Sequence, residues 1–227
     1  MFVGAALGLL LYQWTGKKWA VPVLVLGAIL PDIIDKPLGH LLLANTLDYG
    51  RIYAHSMLFL IAILLVAAVL WKARSSPVMA ILGLGVATHL VLDSMWEDPV
   101  TLMWPLLGPF QPHHFPDYFG SSFVAEISSP LEWMFGIMLA SILILLYRDR
   151  LGPAGERVAR ALEPLQLPVL AFLTVAGALT LGTGVLTSFT DWTGGQLDVM
   201  AGACAMVGGG LLLRRELRRS GYYLSNP

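Results

Sequence analysis

Long apolar runs, broken by short clusters of charge, glycine and proline, dominate this chain. Seven can be marked, at approximately residues 2–14, 20–34, 56–71, 77–96, 131–147, 167–187 and 196–213. A transmembrane helix needs about 20 apolar residues to cross about 30 Å of hydrocarbon. The pattern predicts an all-α, polytopic transmembrane helical bundle of about seven spans. At about 1.5 Å per residue the first run reaches only about two-thirds of the way across. It is read as re-entrant, as buried against other helices, or as shortened by a start placed late. It lacks a basic n-region and a convincing small-residue cleavage site, so it reads as a retained span rather than a signal peptide.

Composition agrees with lipid as the solvent. The chain is 56% hydrophobic and only 13% charged, with a mean hydropathy of +0.71, whereas soluble domains carry about 25% charged residues. A formal net charge of −1 gives no sign of nucleic acid as a partner. The single cysteine, Cys204, excludes disulfides within the chain and CxxC zinc sites.

Charge then sets an expected sidedness. Lys17, Lys18, Lys72, Arg74, Arg148, Arg150, Arg157, Arg160, Arg214, Arg215, Arg218 and Arg219 fall in alternate connections. The positive-inside rule places those connections in the cytoplasm. The N-terminus is then outside and the C-terminus cytoplasmic, as expected of a multi-pass protein of the cell (inner) membrane. The expected organisation is a membrane domain over 1–147, a basic cytoplasmic linker over 148–166, a helical hairpin over 167–213 and a cytoplasmic tail over 214–227. The hairpin is rich in glycine and free of charged groups in the interior of its two apolar runs, Asp198 lying at the outer end of the second, which suits close helix packing rather than chemistry.

The unusual residues gather at the other ends of the spans. "LPDIIDKPLGH" closes the second run with Asp32 and Asp35, and "RIYAHS" opens the third with Arg51 and His55. "ATHLVLDSMWEDP" closes the fourth, with His89 and Asp93 four residues apart and so on one helical face. "SSPLEWMFG" opens the fifth with Glu132. Ionisable groups at membrane depth cost about 2.5–3.5 kcal/mol each on insertion scales, so several at one level call for a compensating partner. A divalent cation supplies it, since carboxylates and neutral imidazoles are its ligands. The expected ligands are Asp32, Asp35, His55, His89 and Asp93, with zinc the favoured ion and manganese the alternative. The loop residues His113, His114 and Asp117 are weaker candidates for a ligand or substrate contact, and His40 reads as interfacial packing. Trp104-Pro105 reads as an interfacial anchor at the rim of the site.

These motifs resemble the YdjM-like family of inner-membrane proteins, regarded as metal-dependent hydrolases, whose pattern runs PDxD, HRxxTHS, HxxxD and a WP dipeptide. Here it is met by Pro31-Asp32-Ile33-Ile34-Asp35, by Arg51, His55 and Ser56, by His89 and Asp93, and by Trp104-Pro105. The departures are the PDxxD spacing, Gly50 and Ala54 in place of a histidine and a threonine, and a first span without histidine. The family is in turn distantly similar to zinc-dependent phospholipase C and single-strand nucleases. That similarity implies a phosphoester substrate, a lipid among the candidates, in a bilayer whose lipids are the expected partners.

The expected activity is hydrolysis assisted by a metal ion at the extracytoplasmic face. Bound metal lowers the pKa of water from 15.7 to about 7. Asp32 would orient that water or act as its base, Arg51 would stabilise charge on a phosphoryl oxygen, and Asp32 or Glu132 would bridge to a second ion. The alternative is a membrane transporter or a non-catalytic metal-binding scaffold. Lipid-phosphatase and HExxH protease signatures are absent.

Overall fold

The computed structural model describes residues 2–113, 117–128, 130–188 and 194–219. Most of these are helical, with turns and loops between the helices and no strand among them. Among the described residues nine α-helices follow in order: α1 (Phe2–Thr15), α2 (Ala20–Pro37), α3 (Met57–Arg74), α4 (Val78–Leu92), α5 (Pro99–Leu102), α6 (Val124–Ser128), α7 (Pro130–Leu162), α8 (Gln166–Ser188) and α9 (Gly194–Arg219). Widened π-type turns extend α2 over Leu38–Leu42 and precede α6 over Tyr118–Phe123.

Two helical segments among the described residues are long and apolar enough to cross a membrane, Met57–Arg74 and Leu167–Leu186. Val3–Thr15 and Val78–Leu92 are apolar but shorter. Asp32, Asp35 and Lys36 crowd the end of α2 and keep it outside that measure. The stretch 148–166, expected as a linker, is itself helical except at Gly152, whose φ of 58° and ψ of −143° break α7 just before Pro153.

The chain divides into two compact units, residues 1–22 with 134–227, and residues 23–133. In the first, Ala6 and Leu9 of α1, Ile142 and Leu146 of α7, Leu170 and Leu173 of α8, and Leu213 and Leu217 of α9 share one buried cluster. Small residues set the α8–α9 spacing: a Cβ on Gly177 would stand 3.0 Å from the Ala203 carbonyl oxygen. Polar ties hold α1 to α9, from the Tyr12 hydroxyl to Glu216 and from Gln13 to the Leu212 carbonyl.

The second unit contains the polar constellation. Val86, Leu90 and Met95 form its buried centre, with Leu30, Phe59, Leu60 and Ile63 packed around them. Helices α2 and α4 cross at glycine. A Cβ on Gly27 would lie 2.2 Å from the Leu82 carbonyl oxygen, and one on Gly85 would lie 2.5 Å from that of Leu24. Only hydrogen at both positions allows this approach, and it brings the last turn of α4 against the middle of α2. Ser56 starts α3 as its N-cap, accepting from the Phe59 N–H at 3.2 Å.

Candidate metal centre

Asp35 organises the site although it does not face its centre. Its side chain is fully buried, and its carboxylate accepts from the backbone N–H groups of Ile52, Ala54 and His55 at 2.8–3.1 Å. It also lies 2.7 Å from His55 Nδ1. A carboxylate can only accept there, so Nδ1 carries the proton and the Nε2 lone pair points away from Asp35. Its four donors all come from the segment running from Ile52 to His55, so Asp35 fixes both a loop and a tautomer.

His89 is fixed in the same way from another direction. The close α2–α4 crossing sets its Nδ1 2.8 Å from the Ala28 carbonyl oxygen, an obligate acceptor. Its Nε2 is therefore also a lone pair. The two Nε2 atoms lie 3.1 Å apart. Asp32 Oδ1 is 3.7 Å from His55 Nε2 and 4.0 Å from His89 Nε2, and Asp93 Oδ2 is 3.8 Å from each.

Lone pairs and carboxylate oxygens thus converge with no proton between the two imidazoles. Such an arrangement is repulsive on its own and matches a cation. Bonds of about 2.0–2.2 Å in a tetrahedral site put neighbouring ligand atoms about 3.3 Å apart, close to the spacing of the two nitrogens. Asp32, His55 and His89 form a group able to hold a metal ion, with one ligand atom from each within 4.8 Å of the others. The donor set of two imidazoles and a carboxylate suits zinc, and carboxylates on Asp32 and Asp93 leave manganese chemically reasonable.

Two cations frame this group. Arg51 Nη2 lies 3.0 Å from Asp93 Oδ2, and Lys36 Nζ lies 3.5 Å from Asp32 Oδ2 one helical turn away. Asp93 caps the C-terminal end of α4, where the helix dipole disfavours negative charge, and Arg51 offsets that cost. Lys36 was not anticipated from sequence. Its i, i+4 spacing from Asp32 was the available signal.

The loops around the site are knitted together. The Tyr49 hydroxyl donates to Asp98 at 2.8 Å, Tyr49 stacks on His113, and the His113 N–H donates to the Leu47 carbonyl at 2.7 Å. Burial, reinforced by the Asp98 carboxylate, pushes the Tyr49 phenol up to about 12. Burial of Asp98 favours its neutral form, but hydrogen bonds from Thr101 and Tyr49 outweigh it and hold the carboxyl below its ordinary value. His40 is buried with Asp48 at 2.9 Å and stacks on Tyr118, which agrees with packing.

Among the expected site residues, Asp32, His55, His89 and Asp93 come together. Asp35 stands behind His55, not beside the converging lone pairs. His113 and Asp117 are occupied elsewhere, the latter accepting from the Gly120 N–H at 2.7 Å. His114 and the Glu132 side chain lie outside the described residues.

A helical unit that turns two histidine lone pairs and a carboxylate toward one point near its helix ends defines a candidate metal centre in a membrane protein. The model of the YdjM inner membrane protein family matches residues 1–154, and the chain belongs to that family. No curated protein and no solved structure matches the chain.

Proposed function

We propose that this protein is a metal-dependent hydrolase of phosphoesters, spanning the inner membrane about seven times with its site at the extracytoplasmic face. The observation that carries the metal is the 3.1 Å approach of two imidazole nitrogens whose protons are both committed elsewhere. A divalent ion, when bound, supplies Lewis acidity and makes water a nucleophile available at neutral pH. His55, His89 and Asp32 would hold it, with Asp93 adjacent. The topology rests on the alternate placement of basic clusters along the sequence.

Charge supports a phosphoester. With neutral imidazoles, Asp32, Asp35 and Asp93 outnumber Lys36 and Arg51 by one, so the site without an ion carries −1. A dication reverses the sign to +1, which suits the single negative charge of a phosphodiester. Arg51 is half-exposed beside Asp93 and offers planar paired donors for phosphoryl oxygens. Asp32, partly exposed, is placed to accept a proton from water.

Turnover of a soluble phosphodiester, bis(p-nitrophenyl) phosphate, tests the reading. The metal-loaded protein hydrolyses it, and the His89→Ala/Asp93→Ala double variant does not. Full activity in that variant would sink the scheme.

A further inference from the structure

The outward loops of the unit formed by residues 23–133 carry a feature that the metal centre does not use. Leu106 is 84% exposed, Leu42 78% and Leu41 61%, with Leu107 and Met103 also exposed. All five lie in turns rather than in the long helices, where polar residues would be ordinary. Their backbones are closed locally. The Leu106 N–H donates to the Met103 carbonyl at 2.8 Å, the Trp104 N–H to Thr101 at 3.2 Å, and the Leu43 N–H to Leu38 at 2.9 Å.

Behind the 103–107 turn stands an aromatic wall. Tyr53 meets Trp104 and Phe110 edge-on, each at 5.0 Å, and Trp104 stacks on Phe110 at 5.2 Å. Tyr53 belongs to the segment that Asp35 pins, two residues before His55. The apolar turn is therefore fastened to the loop that presents a ligand of the candidate centre. On the other side of His55, α3 begins at Met57 and exposes Leu58, Ile61, Leu64 and Leu65. Apolar surface thus reaches the site both from a span and from the loop above it.

We infer that the 103–107 turn and the Leu38–Leu42 turn dip into the adjoining lipid leaflet, and that the substrate is a phosphate ester of a membrane amphiphile whose chains lie against this apolar rim. The substrate assignment rests on the hydrolase reading. Lipid is the occupant these turns fit. A segment entering hydrocarbon must satisfy its own backbone, and local hydrogen bonds at Met103, Trp104, Leu106 and Leu43 close most of these two turns. Tryptophan beside apolar tips marks the depth of the headgroups. The cations Arg51 and Lys36 then stand where the headgroup phosphate of such a molecule would reach them.

The test uses the full chain reconstituted in vesicles of phosphatidylethanolamine and phosphatidylglycerol. In a Cys204→Ser background, Leu107→Cys carries the only thiol, and a fluorophore attached there is quenched by nitroxide lipid and protected from aqueous iodide. Strong iodide quenching with no lipid quenching would overturn the immersion. For turnover, Leu106→Asp/Leu107→Asp raises the KM for a phosphodiester lipid in the same vesicles by roughly tenfold or more. It leaves metal retention and hydrolysis of bis(p-nitrophenyl) phosphate unchanged. Equal loss on both esters would assign the leucines to folding and overturn the inference, with the hydrolase reading intact. Failure of the metal-loaded wild type on both esters would overturn the hydrolase reading and the substrate assignment with it, while the quenching result would still decide the immersion.

Discussion

His55 and His89 face each other through unprotonated nitrogens 3.1 Å apart, because Asp35 holds the Nδ1 proton of one and the Ala28 carbonyl holds that of the other. Neither imidazole can donate to its neighbour without giving up a buried hydrogen bond. The arrangement is settled by groups that touch neither Nε2. Orientation of ligands from behind is the usual device of metal sites, and it places the first prediction on Asp35.

Asp35→Asn keeps the shape of the side chain but weakens acceptance from three backbone N–H groups and from His55. Metal affinity is expected to fall by roughly 10–100-fold, measured by chelator competition on the folded protein. Unchanged affinity would mean that the loop and the tautomer are fixed without the carboxylate.

Gly27→Ala tests the crossing that delivers His89. The new Cβ would meet the Leu82 carbonyl oxygen at 2.2 Å, so the helices must separate. A stability loss of about 1–3 kcal/mol is expected, together with weakened metal binding as His89 leaves Ala28. Melting and metal titration of the same sample show whether the two losses travel together.

Arg51→Gln is expected to leave metal content intact and to lower kcat/KM for a phosphodiester by about 100-fold or more, the scale of losing one preorganised donor to a developing oxyanion. An equal fall in bound metal would instead make Arg51 a support for Asp93.

The loop pair Tyr49–Asp98 predicts a pH dependence with two limbs. Asp98 titrates below its ordinary value when folded, so its contribution is present above the unfolded carboxylate pKa and is lost as pH falls through the folded one. Tyr49 is pushed up to about 12, so the neutral phenol is favoured when folded. Its contribution is present below the unfolded value near 10 and is lost as pH climbs toward 12. Asp98→Asn is expected to flatten the acid limb of thermal stability between those carboxylate values. An unaltered limb would place the acid sensitivity elsewhere.

Much of this was legible in the sequence. Asp32, His55, His89 and Asp93 stand out because ionisable residues beside apolar runs are rare, and the i, i+4 spacing of His89 and Asp93 gives their common face. The role of Asp35 was not legible. Its partners are backbone N–H groups about 17–20 residues away, and no side-chain pattern records them. Lys36 shows in the sequence only through its i, i+4 spacing from Asp32, since a lysine after two aspartates ordinarily reads as solvated charge. Helix positions followed from the apolar runs, but α7 continues past its run through Arg148, Asp149 and Arg150 and is only kinked at Gly152 before it runs on to Leu162.

Elemental analysis of the detergent-purified protein beside His55→Ala and His89→Ala tests the central claim most directly. The account predicts stoichiometric zinc or manganese in the wild type and loss of it in both variants. Wild type without bound metal after supplementation, or variants that retain it, would contradict the metal centre and the hydrolase reading built on it.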